Sequence, residues 1–146
     1  MIAIRVAEKK DFETLFAIHR ACLSQQDQMT KKCFFDEFLQ PTRIYFVAQD
    51  GGKVVGYVGL FDCDSDFNII GIAVEKSFQH QGIGSALLAR AKLQAKMTGK
   101  KSLSLEVDTQ NQIAQKFYQK HGFVVTNVRK NYYNNCSDAL IMFCYL

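Results

Sequence analysis

Along this chain, stretches whose apolar residues recur every second position trade places with stretches whose apolar residues recur every three or four. The segment IAIRVA (2–7) alternates as a strand does, and Asp11 to Leu23 puts Phe12, Leu15, Phe16, Ile18, Ala21, Cys22 and Leu23 at mostly helical spacing. After the polar break SQQDQM (24–29), Thr30 caps a second, short predicted helix. It carries Phe34, Phe35, Phe38 and Leu39 and stops before Pro41, the chain's only proline. RIYFVAQ (43–49) and KVVGYVGLF (53–61) read as two strands joined by Asp50-Gly51-Gly52, a strong hairpin signal. FNIIGIAV (67–74) is a nearly continuous apolar strand, as expected for the middle of a sheet.

A long helix follows, with Ile83, Leu87, Ala91 and Ala95 on one face and Leu88 beside them, and Gly99 is placed to end it. SLSLEV (102–107) is again a strand. NQIAQKFYQKHG (111–122) is a helix with Ile113, Ala114, Phe117 and Tyr118 expected inward, closed by Gly122. FVVTNVRKNYY (123–133) and ALIMFCYL (139–146) complete the chain as strands joined by the polar loop NNCSD (134–138). The order β-α-α-β-β-β-α-β-α-β-β predicts an α/β (α+β) protein with a mixed sheet and helices packed on it.

Composition narrows the function. With 146 residues, 48% of them hydrophobic and 22% charged, a single soluble globular domain over 1–146 is expected. The net charge of +4 suits an anionic small ligand but is too weak by itself to argue for nucleic acid. No stretch approaches a transmembrane span, and MIAIRVAEKK shows no long apolar region followed by a small-residue cleavage site. The five cysteines (22, 33, 63, 136 and 144) are odd in number, widely spread and form no C-x-x-C pair. Neither a disulfide framework nor a zinc knuckle is expected, and reduced thiols in the cytoplasm fit best.

The stretch QHQGIG (79–84) raises the sharpest chemical question, because glycine disfavours helix by roughly 1 kcal/mol relative to alanine and two glycines here stand at a helix mouth. There the first amides lack intrahelical partners and the helix dipole presents positive charge, so an anion can approach residues 82–85 closely. A diphosphate fits this arrangement; a tight strand-to-helix turn fits the spacing equally. No G-x-x-x-x-G-K-[ST] is present, and G-x-G-x-x-G fails because Leu87 occupies its last position. DCDSD (62–66) starts like a calcium loop but has Phe67 and Ala73 where that loop needs glycine and glutamate, and His19, His80 and His121 show no metal spacing. No metal site is expected. His121 beside Gly122 reads as a residue of a helix C-terminus.

Gln79-x-x-Gly82-x-Gly84 after GIAV resembles the acyl-CoA pyrophosphate motif, Q/R-x-x-G-x-G/A, of the GNAT acetyltransferase superfamily. LEVDTQNQIAQKFYQKHGF (105–123) resembles the family's L-E-V-x-x-x-N-x-x-A-x-x-x-Y-x-x-x-G-F signature. RKNYYNNCSDALIM (129–142) resembles the R-R-N-Y-Y…E-D-A-I-I-M ending of RimI-type ribosomal-protein alanine N-acetyltransferases. The likeness covers residues 43–146 and reaches 1–42 by element order alone. It implies a mixed, mostly antiparallel seven-stranded sheet flanked by about four helices, and acetyl-CoA as cosubstrate without a metal.

Acetyl transfer from a thioester to an amine requires the amine to lose a proton, the oxyanion to be stabilised and the departing thiolate to be protonated. The resemblance carries the general-base role to Glu106, whose other reading is a charged residue near a strand end. It carries the acid role to Tyr118, a phenol with an ordinary pKa of about 10, whose other reading is a core tyrosine beside Phe117. Asn111 is a natural N-cap that the family also sets against the cofactor. The backbone of Ile72, Ala73 and Val74 is the candidate for the thioester carbonyl and pantetheine arm, on a strand that bulges in this fold, with Gly71 compatible with a bulge. The cofactor-binding set is then Ile72, Ala73, Val74, Gln79, His80, Gln81, Gly82, Ile83, Gly84, Ser85, Asn111 and Tyr118.

His80 and Gln81 depart from the basic residues often found at their motif positions. Arg90, Lys92, Lys96, Lys100 and Lys101 read as a solvated basic helix face, from which one residue meeting the 3′-phosphate is the alternative. The acceptor end should lie between 24–30 and 131–138, where Tyr132 and Tyr133 are candidates to hold a peptide. This chain has no tryptophan, unlike the first-helix region of many RimI-like chains. A protein Nα-amine, such as that of a ribosomal protein, is the first choice of acceptor. A lysine side chain or small-molecule amine is the alternative, and a non-catalytic acyl-CoA-binding module stands behind both. Direct attack is preferred to an acyl-enzyme on Cys136 or Cys144, because no adjacent base is evident. No membrane or nucleic-acid partner is expected.

Overall fold

The computed structural model describes residues 1–23, 28–133 and 137–146. Among them are seven strands: β1 (Ile2–Val6), β2 (Arg43–Asp50), β3 (Lys53–Cys63), β4 (Asp66–Val74), β5 (Ser102–Asp108), β6 (Val124–Arg129) and β7 (Ala139–Tyr145). Four α-helices accompany them: α1 (Phe12–Cys22), α2 (Lys31–Leu39), α3 (Ile83–Met97) and α4 (Gln112–Lys120). The strands form one sheet in the order β1-β2-β3-β4-β5-β7-β6, antiparallel throughout except where β5 lies parallel to β4.

Both faces of the sheet's first half are covered, which accounts for its unbroken apolar runs. In β2, Phe46 and Ala48 join the cluster under α3, whereas Tyr45 and Val47 join the cluster under α1 and α2. The second cluster is unusually aromatic. Phe12 meets Phe16, Phe34, Phe35 and Phe38 at centroid distances of 4.8–6.1 Å, filling the region that carries no tryptophan. Arg43 closes its rim, donating to Glu37 at 2.6 Å and lying 3.8 Å over the Phe61 ring.

In β5 the alternation divides chemistry between faces. Leu103, Leu105 and Val107 enter the α3 cluster, so Ser102, Ser104, Glu106 and Asp108 face the other way. That second face is also where α1 and α2 sit, but those helices pack on β2, β3 and β4.

The local signals act as expected at most ends. Thr30 accepts from the Cys33 amide, and Asn111 accepts from the Ala114 amide. Gly99 and Gly122 take φ of 75° and 91°, and each ends its helix in a Schellman pair: Lys100 to Ala95 with Gly99 to Lys96, and Phe123 to Tyr118 with Gly122 to Gln119. DCDSD makes the turn from β3 into β4, with Asp62 accepting from the Asp64 amide and from Lys100.

Two expectations need correction. Ile113 is not inward but 86% exposed, because only a narrow stripe of α4 (Ala114, Phe117 and Tyr118) reaches the core. The basic run is not simply a solvated face: Arg90 lies 4.5 Å over Phe46, Lys92 donates to the His121 carbonyl, and Lys100 binds Asp62 and the Asp64 carbonyl. Lys96 and Lys101 alone of the five stay fully exposed.

Candidate active site

The parallel ladder between β4 and β5 is short. It runs through Asp66–Ser102, Phe67–Leu103 and Asn68–Ser104 and then stops, although both strands continue. The strands part there because β4 gains an extra residue: Gly59 pairs with Gly71 and Leu60 with Ile69, which leaves Ile70 as a bulge. The bulge thus adjoins Gly71. It opens a cleft of about 800 Å³, lined by the far end of β4, the second half of β5, the start of α3 and one side of α4.

Backbone groups line one wall. The Val74 carbonyl turns away from β3 and accepts from Cys22 Sγ at 3.2 Å and from Gln79 Nε2 at 2.9 Å, while the next amide, Glu75, donates back to Val55 of β3. Since alternate residues of a strand point their amides to opposite sides, the amides of Ile72 and Val74 face the gap and that of Ala73 faces β3. The Gln79 carboxamide is thereby tied to the end of β4, where the residue lines the cleft.

The start of α3 forms a second wall. Its N-cap, Gly82, has φ 82° and offers no side-chain cap, in contrast to the capped α2 and α4. The first intrahelical bond runs from the Ala86 amide to the Gly82 carbonyl, so the amides of Gly82, Ile83, Gly84 and Ser85 lack intrahelical acceptors. Nothing lies within 4 Å of where a Gly82 Cβ would stand. An anion fits such a cradle on sterics and on the helix dipole alike. Gly84 differs: a Cβ there would reach van der Waals distance of the Phe117 ring of α4, at 3.4 Å. His80 takes φ 63°, an uncommon backbone for a residue with a Cβ, and lines the cleft beside Gln79; Gln81 is exposed outside the lining. Ser85 Oγ meets His121 Nε2 at 3.0 Å, tying the start of α3 to the end of α4.

Glu106 and Tyr118 both line this cleft and come to it from opposite faces of the sheet. Glu106 lies on the polar face of β5, half-buried, and its Oε2 accepts from Asn68 Nδ2 at 3.3 Å. Tyr118 belongs to the cluster on the α3 side, its ring edge-on to Phe117 and Phe123 at 5.4 and 5.5 Å. Asn111 also lines the cleft, by the helix it caps. Of the two tyrosines expected to hold the acceptor, Tyr133 is buried and lines the cleft, whereas Tyr132 is 43% exposed and stands edge-on to it at 4.9 Å. Of the segments expected to flank the acceptor, 24–27 and 134–136, Cys136 among them, lie outside the described residues. Cys144 is buried on the α3 side of β7 and is not part of the lining.

Several contributors escape a sequence reading. Cys22 and Leu23 line the cleft from the end of α1, and the Cys22 thiol, raised in pKa by burial, donates to the Val74 carbonyl. Asp108, 4% exposed, accepts from the Gln110 amide and the Ser137 hydroxyl and so holds the turns on both sides of the site. Asn68 was legible only as a polar residue interrupting the apolar run FNIIGIAV. Among the described residues no group of three or more His, Cys, Asp or Glu is placed to hold a metal, and no helix is long and apolar enough to cross a membrane.

Known proteins resemble this chain in sequence and fold. The acetyltransferase (GNAT) family model matches residues 9–123. A Bacillus subtilis protein that provisionally carries the name ribosomal protein bS18-alanine N-acetyltransferase is 33% identical over 96% of this chain and 93% of its own. An N-alpha-acetyltransferase of Sulfurisphaera tokodaii is 30% identical over 95% and 90%. The crystal structure of the ribosomal-protein-S18-alanine N-acetyltransferase from Escherichia coli superposes with a TM-score of 0.90 at 26% identity, covering 99% of this chain and 94% of that one. Sequence, strand order and the parted strands lead to one conclusion: the chain belongs to the GNAT family of acetyltransferases, with RimI-type enzymes among its relatives.

Proposed function

We propose that this enzyme transfers the acetyl group of acetyl-CoA to a protein N-terminal α-amine by direct attack. The observation that carries the reading is the placement of Glu106 and Tyr118 on opposite faces of the sheet at a single gap between strands. An amine arriving on the face of Glu106 and a thioester arriving on the face of Tyr118 meet inside the gap, and no covalent enzyme intermediate is needed.

The diphosphate of CoA is assigned to the α3 cradle, with Gly82, Ile83, Gly84 and Ser85 presenting amides, and His80 and Asn111 beside it. The amides of Ile72 and Val74 are assigned to the pantetheine arm and the thioester oxygen, where a donor is worth most when it is already aimed at the developing charge. Glu106 takes the proton of the ammonium group directly or through one water. The free amine attacks the thioester carbonyl, the C–S bond breaks, Tyr118 supplies the proton to the departing thiolate, and the second proton on the attacking nitrogen returns through water to the tyrosinate. The buried Tyr133 and the end of α1 at Cys22 and Leu23 border the acceptor's entrance.

The test is mass spectrometry of a peptide panel incubated with the enzyme and acetyl-CoA. The panel holds free N-termini beginning Ala, Ser or Met, Nα-blocked lysine peptides and small amines. Acetyl gain confined to free N-termini, with alanine favoured, is the expected result. Gain on lysine or small amines alone overturns the acceptor assignment and keeps the transferase.

A further inference from the structure

We infer that Asn68 is a positioning residue for Glu106 and that Asp66 and Ser104 fix its orientation, a reading that rests on Glu106 serving as the base. Asn68 holds the last backbone pair of the β4–β5 ladder, opposite Ser104, at the apex where the strands begin to part. Its side chain is the last link across them: Nδ2 donates to Ser104 Oγ at 3.2 Å and to Glu106 Oε2 at 3.3 Å.

The direction of every bond in this chain is fixed by chemistry. An ionised carboxylate only accepts, so the Asn68 amide must turn its nitrogen to Glu106. Ser104 is buried, and its hydroxyl donates to Asp66 Oδ2 at 2.6 Å, which leaves an oxygen lone pair for the second Asn68 hydrogen. Asp66 thus orients Ser104, Ser104 orients Asn68, and Asn68 holds one oxygen of Glu106. Among the described residues Asn68 is the side-chain partner of Glu106, so Oε1 remains to accept from the amine or a water. No part of this chain reaches the α3 cradle, so its loss should spare acetyl-CoA binding.

Asn68→Leu keeps the branched shape without donors, and Asn68→Asp keeps the shape and sets an acceptor against Glu106. Steady-state kinetics with acetyl-CoA and a peptide bearing a free N-terminal alanine are measured from pH 5.5 to 9. The expected result is a kcat lower by about 10- to 100-fold in both variants, an unchanged KM for acetyl-CoA, and an acid limb of kcat/KM displaced to higher pH, further for Asn68→Asp. A thermal melt reports folding. Lowered stability with wild-type kcat and pH profile makes Asn68 merely structural and overturns the inference; should the leucine variant not fold, the aspartate variant decides on the same criteria. Glu106→Gln is run in parallel. An inactive Glu106→Gln beside unaltered Asn68 variants refutes the positioning alone, whereas an active Glu106→Gln refutes the base assignment on which it stands.

Discussion

A Cβ on Gly84 would stand 3.4 Å from Phe117 Cζ, at van der Waals distance, so the start of α3 meets the Phe117 ring of α4 at this position beside the cleft. A branched side chain at 84 extends beyond that Cβ, against the Phe117 ring or into the cradle at the start of α3. Gly82 differs, with open space at its Cβ position and a left-handed backbone at φ 82°. Gly84→Val is expected to weaken acetyl-CoA binding at least about tenfold, or 1.4 kcal/mol. Gly82→Ala is expected to cost about 1–2 kcal/mol in backbone strain and to intrude on the same cradle. Calorimetric titration with acetyl-CoA beside thermal melts separates the two effects. Unchanged affinity in both variants would remove the diphosphate from α3.

The two proposed proton-transfer groups should fail in different ways. Glu106→Gln preserves shape and is expected to lower kcat by about 10²–10⁴ while leaving acetyl-CoA affinity intact, since its side chain lies on the face away from α3. Tyr118→Phe preserves the edge-on packing against Phe117 and Phe123. It should keep the melting temperature close to wild type and lower kcat with thioesters of CoA. Relief of that loss with an acetyl donor whose leaving group is less basic would identify Tyr118 as the acid; equal loss with both donors would make it a packing residue.

What the amino-acid pattern could reveal here depended on separation along the chain. The cores on both faces were legible because each strand or helix declares its own period, and the Gly99 and Gly122 stops because a left-handed C-cap is a local demand. The glycines of QHQGIG suggested one role but sit in two settings, a left-handed backbone with open space at 82 and van der Waals distance from Phe117 at 84. Ile113 misled because helical spacing cannot say how wide a stripe the sheet will cover, and the first turn of α4 overhangs the cleft. Lys92 and Lys100 find their carbonyl and carboxylate partners 29 and 38 positions away, so no local window shows them. Asn68 likewise meets Glu106 across 38 positions, through a bulge at Ile70 that Gly71 hinted at but did not locate.

Asp108 should govern the acceptor without touching the cofactor. Its carboxylate accepts from the Gln110 amide at 2.9 Å before α4 and from Ser137 Oγ at 3.0 Å before β7. The Thr109 amide adds a third tie, to the Asp138 carbonyl. Removing such a buried acceptor leaves its donors unsatisfied at a cost of about 1–3 kcal/mol. Asp108→Ala is therefore expected to lower the melting temperature and raise KM for the acceptor peptide, while KM for acetyl-CoA stays near wild type. A rise in both KM values would mean that the β5–α4 turn, not the acceptor entrance, is what Asp108 holds.

His19 makes stability depend on mild acid. It is 2% exposed, its Nε2 accepts from the Met29 amide at 2.8 Å, and Nδ1 lies 3.1 Å from Tyr57 Oη. An Nε2 that accepts cannot carry a proton, so Nδ1 bears the hydrogen and donates to Tyr57. Burial depresses the His19 pKa below its ordinary 6.5, with the nearby Arg20 charge adding to the effect. Between the depressed folded pKa and 6.5 the unfolded chain binds more protons, so stability is complete above about 6.5 and is lost as pH falls through the folded value. Burial and the charges of Lys92 and Lys120 depress His121 in the same direction. Melting temperature should accordingly fall between pH 7.5 and 5.5. His19→Gln offers an acceptor and a donor without titrating, and should flatten that fall while costing little at pH 7.5. His121→Asn provides the second subtraction. An undiminished slope in His19→Gln with a flat one in His121→Asn would move the acid sensitivity from the α1–α2 side of the sheet to the junction of α3 and α4.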